Sequence, residues 1–279
     1  MKTLNDKVVV ITGAGSGIGR ALAVNCAKRG SLLALSDVDE AGLAETVDLV
    51  KQAGAKEVRS DRLDVADRAA FQTYATAVAE QFGRVNVIVN NAGVALAGDL
   101  NDLSYKDMDW IIGVNFWGVV HGTKEFLPHL IASGDGHVVN LSSLFGLLAM
   151  PGQSAYNATK FAVRGMTEAL REEMLIAGHN VGVTAVHPGG IKTAIARNAR
   201  VSEHEDKAAT AKLFDEKLAR MSPERAAEII VKGILKNQAR VLVGIDAHAL
   251  HNFQKFTGSR YEDVIATVSK RVLPNKKVV

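Results

Sequence analysis

Short apolar runs at 8–11, 32–35, 58–63, 85–89, 137–141, 181–186 and 241–243 alternate with longer segments of helical period at 17–29, 39–52, 67–82, 103–131 and 155–177. No other feature of the chain narrows its fold as far. A strand that is apolar on both faces must be covered on both faces, and a strand followed by a helix leads into a parallel neighbour. Right-handed crossovers then wind the chain outward in two directions. The expected architecture is α/β: a doubly wound Rossmann fold, with a seven-stranded parallel sheet and helices on both faces.

The 279 residues contain five prolines and no Gly/Ser-rich linker, so one domain is expected over 1–279. Two segments leave the pattern. Residues 194–222 follow a glycine-rich turn and are polar from Arg197 to Lys207, a stretch expected to stay out of the core. A long polar insertion near the carboxyl end of a strand reads as a substrate lid. Residues 245–279 read as a helical extension. Its Leu250, Phe253, Phe256, Val264, Val268 and Val272 are expected to pack on the domain or on a subunit partner.

A hydrophobic fraction of 47% with 23% charged residues excludes a disordered or fibrous chain. A net charge of +3 is too mild to argue for nucleic acid. The basic residues Lys270, Arg271, Lys276 and Lys277 read as a solvated tail. The single cysteine, Cys26, permits no intrachain disulfide and reads as a buried helix position. The N-terminus has no apolar stretch after its first basic residue, and no membrane-length apolar run occurs. A cytoplasmic protein without a membrane span is expected.

Between the first strand and first helix lies Thr12-Gly13-Ala14-Gly15-Ser16-Gly17-Ile18-Gly19. Glycines let a backbone approach a pyrophosphate, and a helix N-terminus offers it free N–H groups. By itself such a loop is also consistent with a tight turn. The second strand ends in Ser36-Asp37. A carboxylate there accepts from both ribose hydroxyls of adenosine and repels a 2′-phosphate, which favours NAD over NADP. No cation follows Asp37 or lies within the glycine loop. Alternatively, Asp37 caps the next helix. Further on, Tyr156 and Lys160 stand one helical turn apart, behind a strand and Ser142-Ser143. A cation beside a phenol favours the phenolate and so suits acid/base work at neutral pH.

With these segments, Asp64-Val65, Asn90-Asn91-Ala92-Gly93, Val114-Asn115, Tyr156-Asn157-Ala158-Thr159-Lys160 and Pro188-Gly189-Gly190-Ile191-Lys192-Thr193, the chain resembles the short-chain dehydrogenase/reductase family, in its single-domain form. The resemblance implies that Tyr156 is the acid/base, that Ser143 orients the substrate oxygen, and that Lys160 binds the nicotinamide ribose and lowers the Tyr156 pKa. Asn115 holds a water and Lys160 in a proton relay. Gly13, Ser16, Gly17, Ile18 and Gly19 cradle the cofactor phosphates. Asp64 and Val65 flank the adenine. Asn91, Ala92 and Gly93 meet the cofactor through backbone, and Pro188, Gly189, Ile191 and Thr193 lie on its nicotinamide side. A homodimer or homotetramer is implied in the same way, through the helix after the fourth strand and the Tyr156 helix.

The implied reaction is hydride transfer between NAD(H) and a secondary alcohol or ketone. Val94, Leu96, Leu144, Phe145, Leu147, Leu148 and Met150 suggest an apolar pocket for a steroid-, retinoid- or aliphatic-like substrate; several of them also fit a core. A non-catalytic dinucleotide-binding redox sensor acting through a protein partner is the alternative, and the intact Ser143, Tyr156 and Lys160 count against it. His121, His129, His137 and His187 make no metal-binding spacing, so no metal is expected and structural roles are assigned to them.

Overall fold

The computed structural model describes residues 1–272. Lys276, Lys277 and the side chains of Arg271 and Val272 lie outside the described residues. The elements are β1 (Val8–Thr12), α1 (Gly17–Ala27), β2 (Leu32–Asp37), α2 (Glu40–Gln52), β3 (Val58–Arg62), α3 (Arg68–Phe82), β4 (Val87–Asn90), β5 (Leu96–Ala97), α4 (Tyr105–Ile112), α5 (Gly118–Ala132), β6 (Gly136–Leu141), α6 (Ser154–Ile176), β7 (Val181–Pro188), β8 (Arg200–Val201), α7 (Lys207–Leu213), α8 (Pro223–Leu235), β9 (Arg240–Val243), α9 (Ile245–Thr257) and α10 (Tyr261–Val272).

Seven strands form one sheet in the order β3-β2-β1-β4-β6-β7-β9, and every pairing in it is parallel. The alternation of side chains along each strand divides the core in two. Val9, Ile11, Leu33, Leu35, Val87 and Val139 face Leu22, Cys26, Leu43 and Ile230 of α1, α2 and α8. Val10, Ala34, Ile88 and Val138 face Phe71, Val78, Phe126 and Leu170 of α3, α5 and α6. The strand order turns back between β1 and β4, which opens a crevice at the carboxyl ends of the strands. Cys26 is buried as expected, and burial pushes its thiol up to about 12.

The expected helix at 103–131 is interrupted. Ser104 caps α4 by accepting from Asp107 N (3.1 Å), and a π turn at Gly113–Trp117 separates α4 from α5. The polar stretch of 194–222 is also not wholly outside the core. β8 pairs with β5 through Leu96↔Arg200 and Ala97↔Val201, and Ala199 and Ser202 are buried beside it. Pairing of the backbone buries small side chains there even though their neighbours are charged. The extension divides as well. Leu250 and Phe253 pack with Tyr261 against Leu144, Leu147 and Leu148. Phe256 is 89% exposed, and Val264 and Val268 are exposed too, so of the two expected coverings, the domain and a subunit partner, these three do not have the first.

Candidate active site

β1 delivers Thr12 to the crevice, and the chain must turn sharply there into α1. Gly13 has φ +65°, and a Cβ on it would lie 2.7 Å from Ala92 Cα. A Cβ on Gly19 would lie 2.1 Å from the Gly13 carbonyl oxygen. Only glycine fits either position. Asn91 ties this loop to the end of β4: its Nδ2 donates to Thr12 O (2.9 Å) and Gly13 O (3.0 Å). Thr12 Oγ1 accepts in turn from Asn91 N and Ala92 N, each at 3.1 Å. Ser16 is the N-cap of α1, but its side chain makes no capping bond and no acid sits in the first turn. The α1 N–H groups and the helix dipole are therefore available to an anion. Thr193 closes over the loop, its Cγ2 3.0 Å from where a Cβ on Gly17 would be.

Asp37, at the end of β2, accepts from Gly15 N (2.7 Å) and Asp39 N (3.0 Å). The cap of α2 is Asp39, which accepts from Gly42 N (3.1 Å). Capping is thus not the task of Asp37. The cation that follows the glycine loop, Arg20, is engaged with α2: it donates to the Gly15 carbonyl, to Gly42 O (3.0 Å), to Glu45 (2.8 Å) and to Thr46 Oγ1 (3.0 Å). Beside Asp37, Leu63 N donates to its carbonyl (3.0 Å), which brings the exposed Asp64 and buried Val65 to the same end of the sheet. His121 Nδ1 donates to Val65 O (3.0 Å), and Gly118 makes room for the Val65 side chain.

The reactive groups gather between β4, β6 and α6. Lys160 is almost fully buried; its Nζ donates to Leu141 O (3.0 Å) and lies 5.6 Å from the centroid of the Tyr156 ring. Asn115 sits fully buried in the π turn, a geometry that recurs at functional sites. It binds Val94 reciprocally, accepting from N at 2.8 Å and donating to O at 2.9 Å. A Cβ on Gly93 would lie 3.3 Å from Asn115 Oδ1 and 3.5 Å from Lys160 Nζ. Ser143 Oγ accepts from Phe145 N (3.1 Å), and Ser142 Oγ donates to Lys160 O (2.7 Å).

Burial governs the electrostatics here. It pushes the Tyr156 phenol up, and a hydrogen bond with the Ser143 side chain pulls it back. Burial also pulls Lys160 down to about 8. The expected lowering of Tyr156 by Lys160 is not seen: burial disfavours the phenolate, and Ser143 is the group that opposes this.

Around these groups, Phe145 lies edge-on to Tyr156 with ring centroids 6.2 Å apart, and Val94 and Met150 are half-buried nearby. Leu147 and Leu148, expected in the pocket, are core residues beneath the extension. Asn157, within the Tyr-x-x-x-Lys segment but given no role from sequence, clasps this wall. Its Nδ2 donates to Phe145 O (2.8 Å) and Leu148 O (3.2 Å), and its Oδ1 accepts from Met150 N (3.2 Å). Tyr261 OH accepts from Ala149 N (3.0 Å), and Asp246 accepts from Gly190 N (2.7 Å). No local pattern marks these last two. Pro188 ends β7, and Gly189, the buried Ile191 and Thr193 follow it. The segment 194–222 begins and ends at one neck, where Lys192 N donates to Met221 O (2.9 Å) and Arg220 N to Gly190 O (3.0 Å). Among the described residues no group of His, Cys, Asp or Glu is arranged to hold a metal ion.

Residues 7–204 match the short chain dehydrogenase family. The chain belongs to the short-chain dehydrogenase/reductase family. It is therefore an oxidoreductase of the classical, single-domain type. SadH of Mycobacterium tuberculosis, designated an oxidoreductase, is 58% identical over 274 residues, which cover 98% of this chain and 99% of that protein. A family member from Burkholderia phymatum, solved in complex with NAD, matches with a TM-score of 0.85 at 33% identity over 100% of this chain and 99% of that one. An alcohol dehydrogenase from the archaeon Thermococcus sibiricus, complexed with 5-hydroxy-NADP, matches with a TM-score of 0.71 at 29% identity over 86% and 95%.

Proposed function

We propose that this family member is an NAD-dependent alcohol dehydrogenase/carbonyl reductase acting on an apolar secondary alcohol or ketone. One observation carries the reading: Tyr156, Ser143, Lys160 and Asn115 gather at the strand ends, beside a loop in which Gly13 and Gly19 leave no room for a Cβ. The residues fit a dinucleotide. Gly13, Ser16, Gly17, Ile18 and Gly19 would hold its phosphates, Asp37 its adenosine ribose, and Asp64 and Val65 its adenine. Asn91, Ala92, Gly93, Pro188, Gly189, Ile191 and Thr193 would line its nicotinamide half, with Lys160 bonding the ribose and the Tyr156 ring alongside it. When bound, the cofactor supplies or takes up the hydride. Tyr156 then gives a proton to a ketone oxygen in reduction, or takes it from a hydroxyl in oxidation. Ser143 holds that oxygen, and Lys160 with Asn115 supports the relay that returns a proton to Tyr156 in reduction and carries one away in oxidation.

Val94, Phe145 and Met150 favour an apolar substrate. Residues 194–222 are read as its lid and 245–279 as an extension of a single domain. The protein is read as a cytoplasmic homodimer or homotetramer, a reading supported by exposed Trp117 and Phe161 on the two helical stretches named above. The test is a panel of secondary alcohols and ketones followed by absorbance of reduced nicotinamide. Tyr156→Phe should cut turnover by about 10²–10⁴ while NADH binding stays unchanged. Full turnover in Tyr156→Phe would overturn the mechanism.

A further inference from the structure

His187 lies outside the acid/base machinery yet touches it. The imidazole is fully buried, and its Nδ1 stands 2.9 Å from the carbonyl oxygen of Ser143. A carbonyl only accepts, so Nδ1 carries the proton and donates. The other nitrogen, Nε2, is buried with no hydrogen-bond partner. This histidine therefore spends its single hydrogen bond on the backbone of Ser143. A residue needed only to fill volume would bring no orphaned nitrogen into the core.

The ladder explains why a side chain is needed. Along β7, Ala185 and Gly189 donate to the β9 side, at Ala239 O and Val243 O, each at 2.9 Å. The residues of even number face β6, where Val186 O accepts from Ser142 N (2.8 Å). The next donor toward β6 would be residue 188, opposite Ser142 O, but it is proline and has no N–H. The ladder stops one residue short of Ser143, whose backbone is still extended at φ −163° and ψ 167°. By the same alternation no β7 N–H is placed for Ser143 O, which takes its donors from the His187 side chain and from Gly146 N (3.0 Å).

We propose that His187 is a positioning residue for Ser143, a side-chain donor that fixes the Ser143 backbone just past the end of the β6–β7 ladder and so sets where the serine hydroxyl points. The inference rests on the assignment of Ser143 to the substrate oxygen. Burial pulls His187 down to about 4, so it stays neutral, with Nδ1 protonated, across the working pH range.

The experiment is a double-mutant cycle in the whole protein, with kcat, KM and NADH affinity measured for a ketone that is turned over. His187→Leu removes the donor. It should lower kcat about tenfold or more, because small displacements of reacting groups carry large rate penalties, while leaving NADH affinity within about twofold. In the Ser143→Ala background the same change should cost nothing further, since the residue acts through Ser143. His187→Asn, whose amide nitrogen takes the place of Nδ1, should restore most of kcat; His187→Gln, whose nitrogen sits one bond further out, should not. That Asn/Gln contrast keeps the test sharp if His187→Leu does not fold. Equal losses with and without Ser143, or equal rates for the Asn and Gln variants, would overturn the inference. Wild-type turnover in Ser143→Ala alone would instead overturn the role of Ser143 and the inference with it.

Discussion

Tyr156 and Lys160 are both shifted by burial, in opposite directions but toward the same uncharged state: the phenol is held neutral and the ammonium is made easier to neutralise. A phenol with a raised pKa rests in its protonated form at neutral pH. Reduction, which needs the acid, should run well there and decline as the phenol titrates; oxidation, which needs the phenolate, should climb into the alkaline range. Rate–pH profiles in both directions check this, and oxidation that is flat between neutral and alkaline pH would refute it. Lys160→Ala should damage cofactor affinity as well as turnover, in contrast to Tyr156→Phe, because Lys160 is assigned to the ribose too. At the other end of the crevice, Asp37 has lone pairs left after accepting from two backbone N–H groups. Replacing it with Ala removes the ribose acceptor and the repulsion of a 2′-phosphate together. Dissociation constants should show NAD(H) preferred by the unaltered chain and that preference relaxed in Asp37→Ala. Tighter NADPH binding by the unaltered chain would contradict the assignment.

Helices α9 and α10 hold both walls of the proposed pocket. Asp246, in the first turn of α9, binds the neck of 194–222 at Gly190, and Tyr261 opens α10 by binding the wall at Ala149. Tyr261→Phe leaves the Ala149 N–H without its acceptor at a part-buried position. A loss of about 1 kcal/mol in stability is expected, with KM for substrate raised more than the affinity for NADH is weakened. Unfolding in urea and steady-state kinetics measure the two effects. The segment 194–222 is pinned at its neck and along β8, where the Arg200 guanidinium lies 3.8 Å from the Trp110 ring centroid and pairs with Asp107 (2.9 Å). Its intervening helix α7 has no buried residue. Hydrogen exchange should therefore be slow at 190–192 in the free protein and fast through α7, slowing in α7 when cofactor and substrate are added. High protection of α7 in both states would make it a fixed structural helix.

Across the molecule the sheet separates two packed layers that lean on different aromatic and aliphatic groups. Phe126 is fully buried, with Phe71 and Tyr74 edge-on to it at centroid distances of 6.3 and 6.1 Å. Phe126→Ala should cost about 3–5 kcal/mol in denaturant unfolding, while the fraction that folds keeps its turnover, because the cluster lies away from the crevice. No helix among the described residues is long and apolar enough to cross a membrane. The exposed Phe256, Val264 and Val268 leave part of the extension unburied by its own chain.

The fold was readable because its causes are local or periodic. Apolar runs on both strand faces demand cover, glycine at 13 and 19 marks a backbone approach, and a spacing of four puts Tyr156 above Lys160 on any helix. Periodicity reports which face is hidden but not what hides it, and there the reading from sequence stopped. That Asp39 rather than Asp37 caps α2 depends on which carboxylate reaches the N–H of Gly42. That Asn115 faces Gly93 and Lys160 depends on a π turn inside an otherwise unbroken helical pattern. Leu147 and Leu148 became core only when α9 and α10 covered them. The direction of the Tyr156 shift was set by desolvation, a property of the whole enclosure that no neighbour in the sequence carries. His187 and Ser143, 44 residues apart, meet because β6 and β7 pair and end side by side. Local chemistry is written along the chain; contacts between distant segments, and the burial they create, exist only once the sheet has brought those segments together.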